Sequence, residues 1–155
     1  MDSILIKILS LPGIIVGLSF HEAAHAYVSH KLGDPTPKAQ GRLTLNPLAH
    51  IDVIGFIALL LCGFGWGKPV MIDNRYYRRP RRDEFLVSIA GVVTNLALAI
   101  VLACVSGMIY KSYLASHSQL MEYLFYIFFY AMTINLCLMV FNLIPVPPLD
   151  GWGVI

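Results

Sequence analysis

The sequence predicts an all-α polytopic membrane protein, with short membrane-associated β-strands and a re-entrant segment between its spanning helices. Three observations carry this. Hydrophobic residues make up 57% of the 155 residues and charged residues only 13%, against about a quarter charged in an average soluble domain. Phe85–Tyr110 and Tyr123–Leu149 are uncharged runs of 26 and 27 residues, and a spanning helix needs about 20. Ile8–Val28 is a third apolar run, broken near its C-terminal end by His21, Glu22 and His25. The composition excludes a disordered, coiled-coil or collagen-like chain. A net charge of +2 is too small for a nucleic-acid footprint, so no nucleic-acid partner is expected.

Taken in order, the first apolar run is a retained helix and not a signal peptide. Lys7 lies inside it, no basic region precedes it, and its end is polar. Gly33-Asp34-Pro35 ends that helix. Gly41–Pro47 alternates briefly and stops at Asn46-Pro47, which reads as a short strand, and Lys68–Asp73 reads as a second. Open strands are not tolerated in lipid, so the two must pair or lie in the interface. Val53–Gly67 has 15 residues, interrupted by Gly55, Gly63, Gly65 and Gly67. It is too short to span and suits a re-entrant segment. Arg78-Arg79-Pro80-Arg81-Arg82 is a dense basic cluster. Cys62, Cys104 and Cys137 stand singly in apolar stretches and read as small hydrophobes of the bundle. His30, His50 and His117 read as ordinary interfacial histidines.

Orientation follows from the basic residues. If Val53–Gly67 does not span, Lys31, Lys38, Arg42, Lys68, Arg75, Arg78, Arg79, Arg81 and Arg82 share one face. The positive-inside rule makes that face cytoplasmic. The first span then brings His21 and His25 towards the cytoplasm, and the last delivers Asp150 to the same side.

The chemistry is concentrated in His21-Glu22-Ala23-Ala24-His25. Residues i and i+4 share a helix face, so both imidazoles can reach one tetrahedral zinc. Glu22, adjacent to them, is placed to serve as a general base. Ionisable groups inside a membrane helix are costly and usually functional. A third ligand is needed, and Asp150, between Leu149 and Gly151 after a long uncharged run, is hard to explain as a solvated charge.

With these residues assembled, the chain resembles the site-2 protease family of intramembrane zinc metalloproteases, peptidase family M50, in a compact form without a PDZ domain. The resemblance runs through His21–His25, Leu32–Thr36, Gly41–Asp52, Phe64–Val70, Pro80–Asp83 and Phe141–Gly151. It implies a three-helix core over residues 1–155, with His21, His25 and Asp150 as ligands of Zn2+ and Glu22 as catalytic base. It implies Asn142 as a donor to the oxyanion, and Gly91 and Asn95, matching a G-x-x-x-N pattern, as support for the site. It implies a multi-pass plasma-membrane hydrolase, open to the cytoplasm, that cuts transmembrane protein substrates within the lipid bilayer. Asn135 reads as interhelical glue. An exposed strand edge near Gly41–Asn46 would receive an unwound substrate segment.

Departures are Val92 and Val53 where prolines are common, Met71-Ile72-Asp73, and Trp152, bulky enough beside Asp150 to narrow access to the metal. The apolar Gly153-Val154-Ile155 ending favours a truncated chain, since family members continue through further spans. Two other readings are open: a non-catalytic regulatory protein of this fold, and a metal transporter. Oligomeric state is not addressed by the sequence.

Overall fold

The computed structural model describes residues 3–63 and 65–154. Phe64 and Ile155, which entered the reading above, lie outside the described residues. Three long apolar helices form the body: α1 (Ser3–Lys31), α4 (Pro80–Ser116) and α5 (Gln119–Asn142). Each is long and apolar enough to cross a membrane. Between α1 and α4 lie two short helices, α2 (Thr36–Ala39) and α3 (Val53–Cys62).

The helix limits have local causes. Pro80, which needs no amide hydrogen at the start of a helix, opens α4 ahead of the apolar run. The 37 residues of α4 extend about 55 Å, beyond a hydrocarbon core of about 30 Å. His117, with φ 49°, closes it, and Ser118 leads directly into α5. The apolar run continues to Leu149, but α5 stops at Asn142. Pro145, Pro147 and Pro148 follow, and proline cannot donate to a helical ladder.

The bundle closes on small and polar residues, as expected where lipid supplies no hydrophobic drive between helices. Asp83, Val87, Gly91, Asn95 and Ala99 form a buried stripe at four-residue spacing along α4. Gly13 and Gly17 of α1 meet Ala131 and Asn135 of α5. Cys62, Cys104 and Cys137 are all exposed rather than inside the bundle, the crossings being occupied by these other residues. His21 and His25 lie against Val87 and Gly91, near the start of α4, whereas Tyr110 near its end packs against Phe125 near the start of α5. Thus α1 and α5 run parallel and α4 antiparallel to both. The last turn of α1, the first turn of α4 and the end of α5 share one end of the bundle.

The structure corrects the expected strands. Among the described residues there is no β-strand; Gly41–Asn46 and Lys68–Asp73 are irregular, and the isolated antiparallel bridge between Ile51 and Gly67 lies outside both segments. The cause is Arg42. Its buried guanidinium donates to the carbonyls of Lys68 and Pro69, which a strand ladder would otherwise engage, and to that of Ala49 beyond the first segment. Pro47 and Pro69 remove two amide donors as well. With no strand at Gly41–Asn46, the expected edge for a substrate is absent. His50 also differs from expectation: it is fully buried, and its Nε2 donates to the Thr44 carbonyl at 2.8 Å.

The segment expected to be re-entrant contains a single helix, α3, of 10 residues, about 15 Å long and half the thickness of the hydrocarbon core. Asp52 caps its start by accepting from the Gly55 amide at 2.8 Å, and Gly63, at φ 77°, ends it. The chain then returns along α3, with the Trp66 carbonyl against Gly55.

Candidate metal centre

The His-Glu-Ala-Ala-His motif lies wholly within α1, so its two histidines share one face. That face meets α4 where Gly91 stands. A Cβ there would lie 2.5 Å from His21 Cε1 and 2.5 Å from His25 Nε2. Only a residue without a side chain admits both rings. Asp150 arrives from a short 3-10 turn, Asp150–Val154, beyond α5. Gly151 lets that turn fold back, since a Cβ there would sit 2.5 Å from the Leu143 carbonyl oxygen.

His21, His25 and Asp150 converge. The two Nε2 atoms are 3.1 Å apart, and Asp150 Oδ2 lies 3.1 Å from one and 3.2 Å from the other. Both histidines are buried, at 4% and 8% exposure.

The ring tautomers follow from a chain of hydrogen bonds. The Ala131 carbonyl can only accept, so it takes the Asn135 amide nitrogen at 2.8 Å. Asn135 Oδ1 is thereby turned to Asn95, whose Nδ2 donates to it at 3.0 Å. Asn95 must then present Oδ1 to His21 Nδ1, at 2.7 Å, which makes that nitrogen the protonated one. His25 Nδ1 lies 2.7 Å from the Val87 carbonyl and is protonated for the same reason. A neutral imidazole carries one ring proton. With both rings neutral, as metal binding requires, the two Nε2 atoms face each other, and the Asp150 carboxylate, with bare lone pairs. Asp150 Oδ2 is buried and takes no hydrogen bond among the described residues. Three acceptors in a triangle repel one another unless a cation sits among them.

Zinc fits this donor set. Bonds of about 2.0–2.1 Å in a tetrahedron place ligand atoms about 3.3 Å apart, close to the observed triangle. Three protein ligands leave one vertex open, the pattern of catalytic rather than structural sites. Protonated Nδ1 atoms held by an amide and a carbonyl are the usual outer partners of metal-binding histidines.

Glu22 is half-buried, and its Oε2 accepts from the Val70 amide at 3.0 Å. The Lys68–Val70 stretch, held by Arg42, thus orients the carboxylate, and among the described residues Oε1 takes no hydrogen bond. Asn142 is the last residue of α5, and its amide donates to the Leu138 carbonyl of its own helix at 3.0 Å. Among the described residues no hydrogen bond joins it to His21, His25 or Asp150. Trp152, expected to crowd the metal, is 59% exposed. Asn135, read from the sequence as interhelical glue, does join α5 to α4 through Asn95; what sequence reasoning missed is that it also sets the orientation of Asn95 towards His21. A lone amide within an apolar span was the available signal.

Comparison with known proteins bears on this site. A sequence model of peptidase family M50 matches residues 10–155. The chain is 46% identical over 148 residues to YwhC of Bacillus subtilis, a match covering 92% of this chain and 65% of that protein. It is 30% identical over 152 residues to Rip2 of Mycolicibacterium smegmatis, covering 94% and 55%. It is 32% identical over 151 residues to MJ0611 of Methanocaldococcus jannaschii, covering 96% and 70%. All three bear provisional names as zinc metalloproteases. The chain spans between about half and two thirds of the length of the first two relatives. No solved structure matches it. With three membrane-competent helices and a match that includes both histidines and Asp150, the chain belongs to peptidase family M50.

Proposed function

We propose that the chain is the core of an intramembrane zinc metalloprotease that hydrolyses peptide bonds in or beside transmembrane segments of other membrane proteins. The observation that carries this is the buried triangle of His21 Nε2, His25 Nε2 and Asp150 Oδ2, its lone pairs directed at one point. Zinc bound there would polarise a scissile carbonyl and acidify water. The chain's own residues supply the rest. Asn95 and the Val87 carbonyl hold the rings in one tautomer. Glu22 accepts a proton from the attacking water at its free oxygen and returns it to the leaving nitrogen. Asn142 serves as oxyanion donor by turning its amide away from Leu138 when substrate is bound.

The site opens to the cytoplasm in this reading. The ends of α1, α4 and α5 that carry it also carry the basic residues. Arg42 is buried, but its charge belongs to the same face. Naming a non-catalytic binding protein would leave the spare carboxylate Glu22 without a role. A transporter would need ionisable groups distributed along a path, and here they gather at one end.

The test is co-reconstitution of the purified protein with a panel of tagged single-span membrane proteins in liposomes. Wild type should release a cut fragment from at least one. Glu22→Gln should keep one zinc per chain and release none. Wild-type cleavage by Glu22→Gln would remove the general-base role, and no cleavage of any panel member by zinc-loaded wild type would favour the binding protein.

A further inference from the structure

The Arg78–Arg82 cluster has no part in the chemistry above. Arg78, Arg79 and Arg82 line a cleft of about 400 Å³ together with Lys31, Gly33 and Asp83. We propose that this cleft binds the phosphate of an anionic phospholipid headgroup.

Charge is the first argument. Four cations face one cleft with one acid, and that acid is engaged elsewhere. Asp83 is 5% exposed and accepts from the Arg79 amide at 2.9 Å, capping the first turn of α4. Among the described residues no carboxylate pairs with Lys31, Arg78, Arg79 or Arg82. Neighbouring Arg75, by contrast, is paired with Asp73 at 2.6 Å. Like charges gathered without a counter-ion repel, and a phosphate relieves this with charge-assisted hydrogen bonds to guanidinium groups. The positive end of the 37-residue α4 points at the same place.

The walls are built, not loose. Tyr77, immediately before the cluster, is 5% exposed, and its hydroxyl meets Ser29 Oγ at 2.8 Å. Ser29 in turn donates to Asp34 Oδ2 at 2.8 Å. The same carboxylate oxygen accepts from the Asp73 amide at 2.8 Å. This buried network ties the segment from Asp73 to Tyr77 to the end of α1, so the arginines start from a fixed point.

Position selects a lipid over a free anion. Lys31 ends one span and Pro80 begins the next, which puts the cleft at the depth of the headgroups. Tyr27, with the Lys31 ammonium 5.4 Å from its ring centre, is exposed one turn deeper on α1, and Phe85 is exposed one turn into α4. Aromatic residues at that level border acyl chains. Basic pockets between helices on the cytoplasmic side suit anionic headgroups.

The test uses the zinc-loaded protein in detergent, titrated with short-chain phosphatidylglycerol, short-chain phosphatidylcholine or inorganic phosphate, with bound ligand counted by native mass spectrometry. One phosphatidylglycerol should bind tightly and phosphatidylcholine weakly. The triple variant Arg78→Gln, Arg79→Gln, Arg82→Gln should weaken it about a hundredfold. A Lys38→Gln, Arg75→Gln variant, altered outside the cleft, should bind as wild type. The single variant Arg82→Gln, with roughly a fivefold expected loss, serves if the triple variant does not fold. Equal losses in the outside variant would show diffuse attraction and overturn the site. Equal affinity for inorganic phosphate would overturn the lipid assignment, as would equal binding of phosphatidylcholine.

Discussion

Replacing Gly91 with alanine adds one methyl group at the point where α4 meets both histidines. The new Cβ would stand 2.5 Å from His21 Cε1, 2.5 Å from His25 Nε2 and 2.6 Å from His21 Nδ1. Ordinary contact starts at 3.4 Å, so both rings must retreat by about 0.9 Å. A metal site tolerates roughly 0.2 Å in its ligand distances, and misplacement of about 1 Å in a catalytic array costs on the order of a hundredfold. The rings cannot simply rotate away, because Asn95 and the Val87 carbonyl hold their Nδ1 atoms. Alanine is otherwise the better helix former by about 1 kcal/mol, so α4 itself should not suffer. Gly107, on the same helix with nothing within 4 Å of an added Cβ, is the control. Zinc per chain after dialysis against a graded chelator is the assay, with helical content by circular dichroism beside it. Gly91→Ala should lose zinc at chelator concentrations about a hundredfold lower than wild type, while Gly107→Ala should match wild type. Wild-type zinc retention in Gly91→Ala would refute the packing argument.

Two further outcomes follow from the hydrogen-bond chains. Asn135→Leu leaves Asn95 free to flip its amide and so loses the lock on the His21 tautomer. Zinc affinity should fall about tenfold, as for outer-shell changes generally, and an unchanged affinity would reduce Asn135 to packing. Asp34 concerns stability: burial opposes its ionisation, but hydrogen bonds from Thr36, the Asp73 amide and Ser29 hold its carboxyl below the ordinary value. A depressed folded-state pKa contributes stability above the unfolded value of about 3.9, and that contribution is lost as pH falls through the folded value. Asp34→Asn should therefore cost about 1–3 kcal/mol at neutral pH and flatten the acid limb of thermal stability. Parallel acid limbs in the two proteins would contradict this.

The parts legible in the sequence were those set by local pattern. Uncharged length located α4 and α5, and the spacing of His21 and His25 placed both on one face before any contact was known. The shortness of Val53–Gly67 was a matter of rise per residue. The strands failed because alternation reports which side chains face water, not where backbone carbonyls find their donors. Arg42 was counted only as one of nine basic residues on one face, yet it is buried and donates to the carbonyls of Ala49, Lys68 and Pro69. His50 was read as interfacial for the same reason: its burial depends on the loop that Arg42 folds. The orientation of Asn142 and the relay from Asn135 through Asn95 to His21 depend on which helices cross at which level, and no periodicity encodes that.

X-ray absorption at the zinc edge of the purified protein asks whether His21, His25 and Asp150 together hold one zinc. The expected result is one zinc per chain with two imidazoles and only oxygen besides, and loss of that zinc in His25→Ala and Asp150→Ala. Sulfur among the nearest scatterers, drawn from Cys62, Cys104 or Cys137, or an unaltered zinc complement in Asp150→Ala, would contradict it.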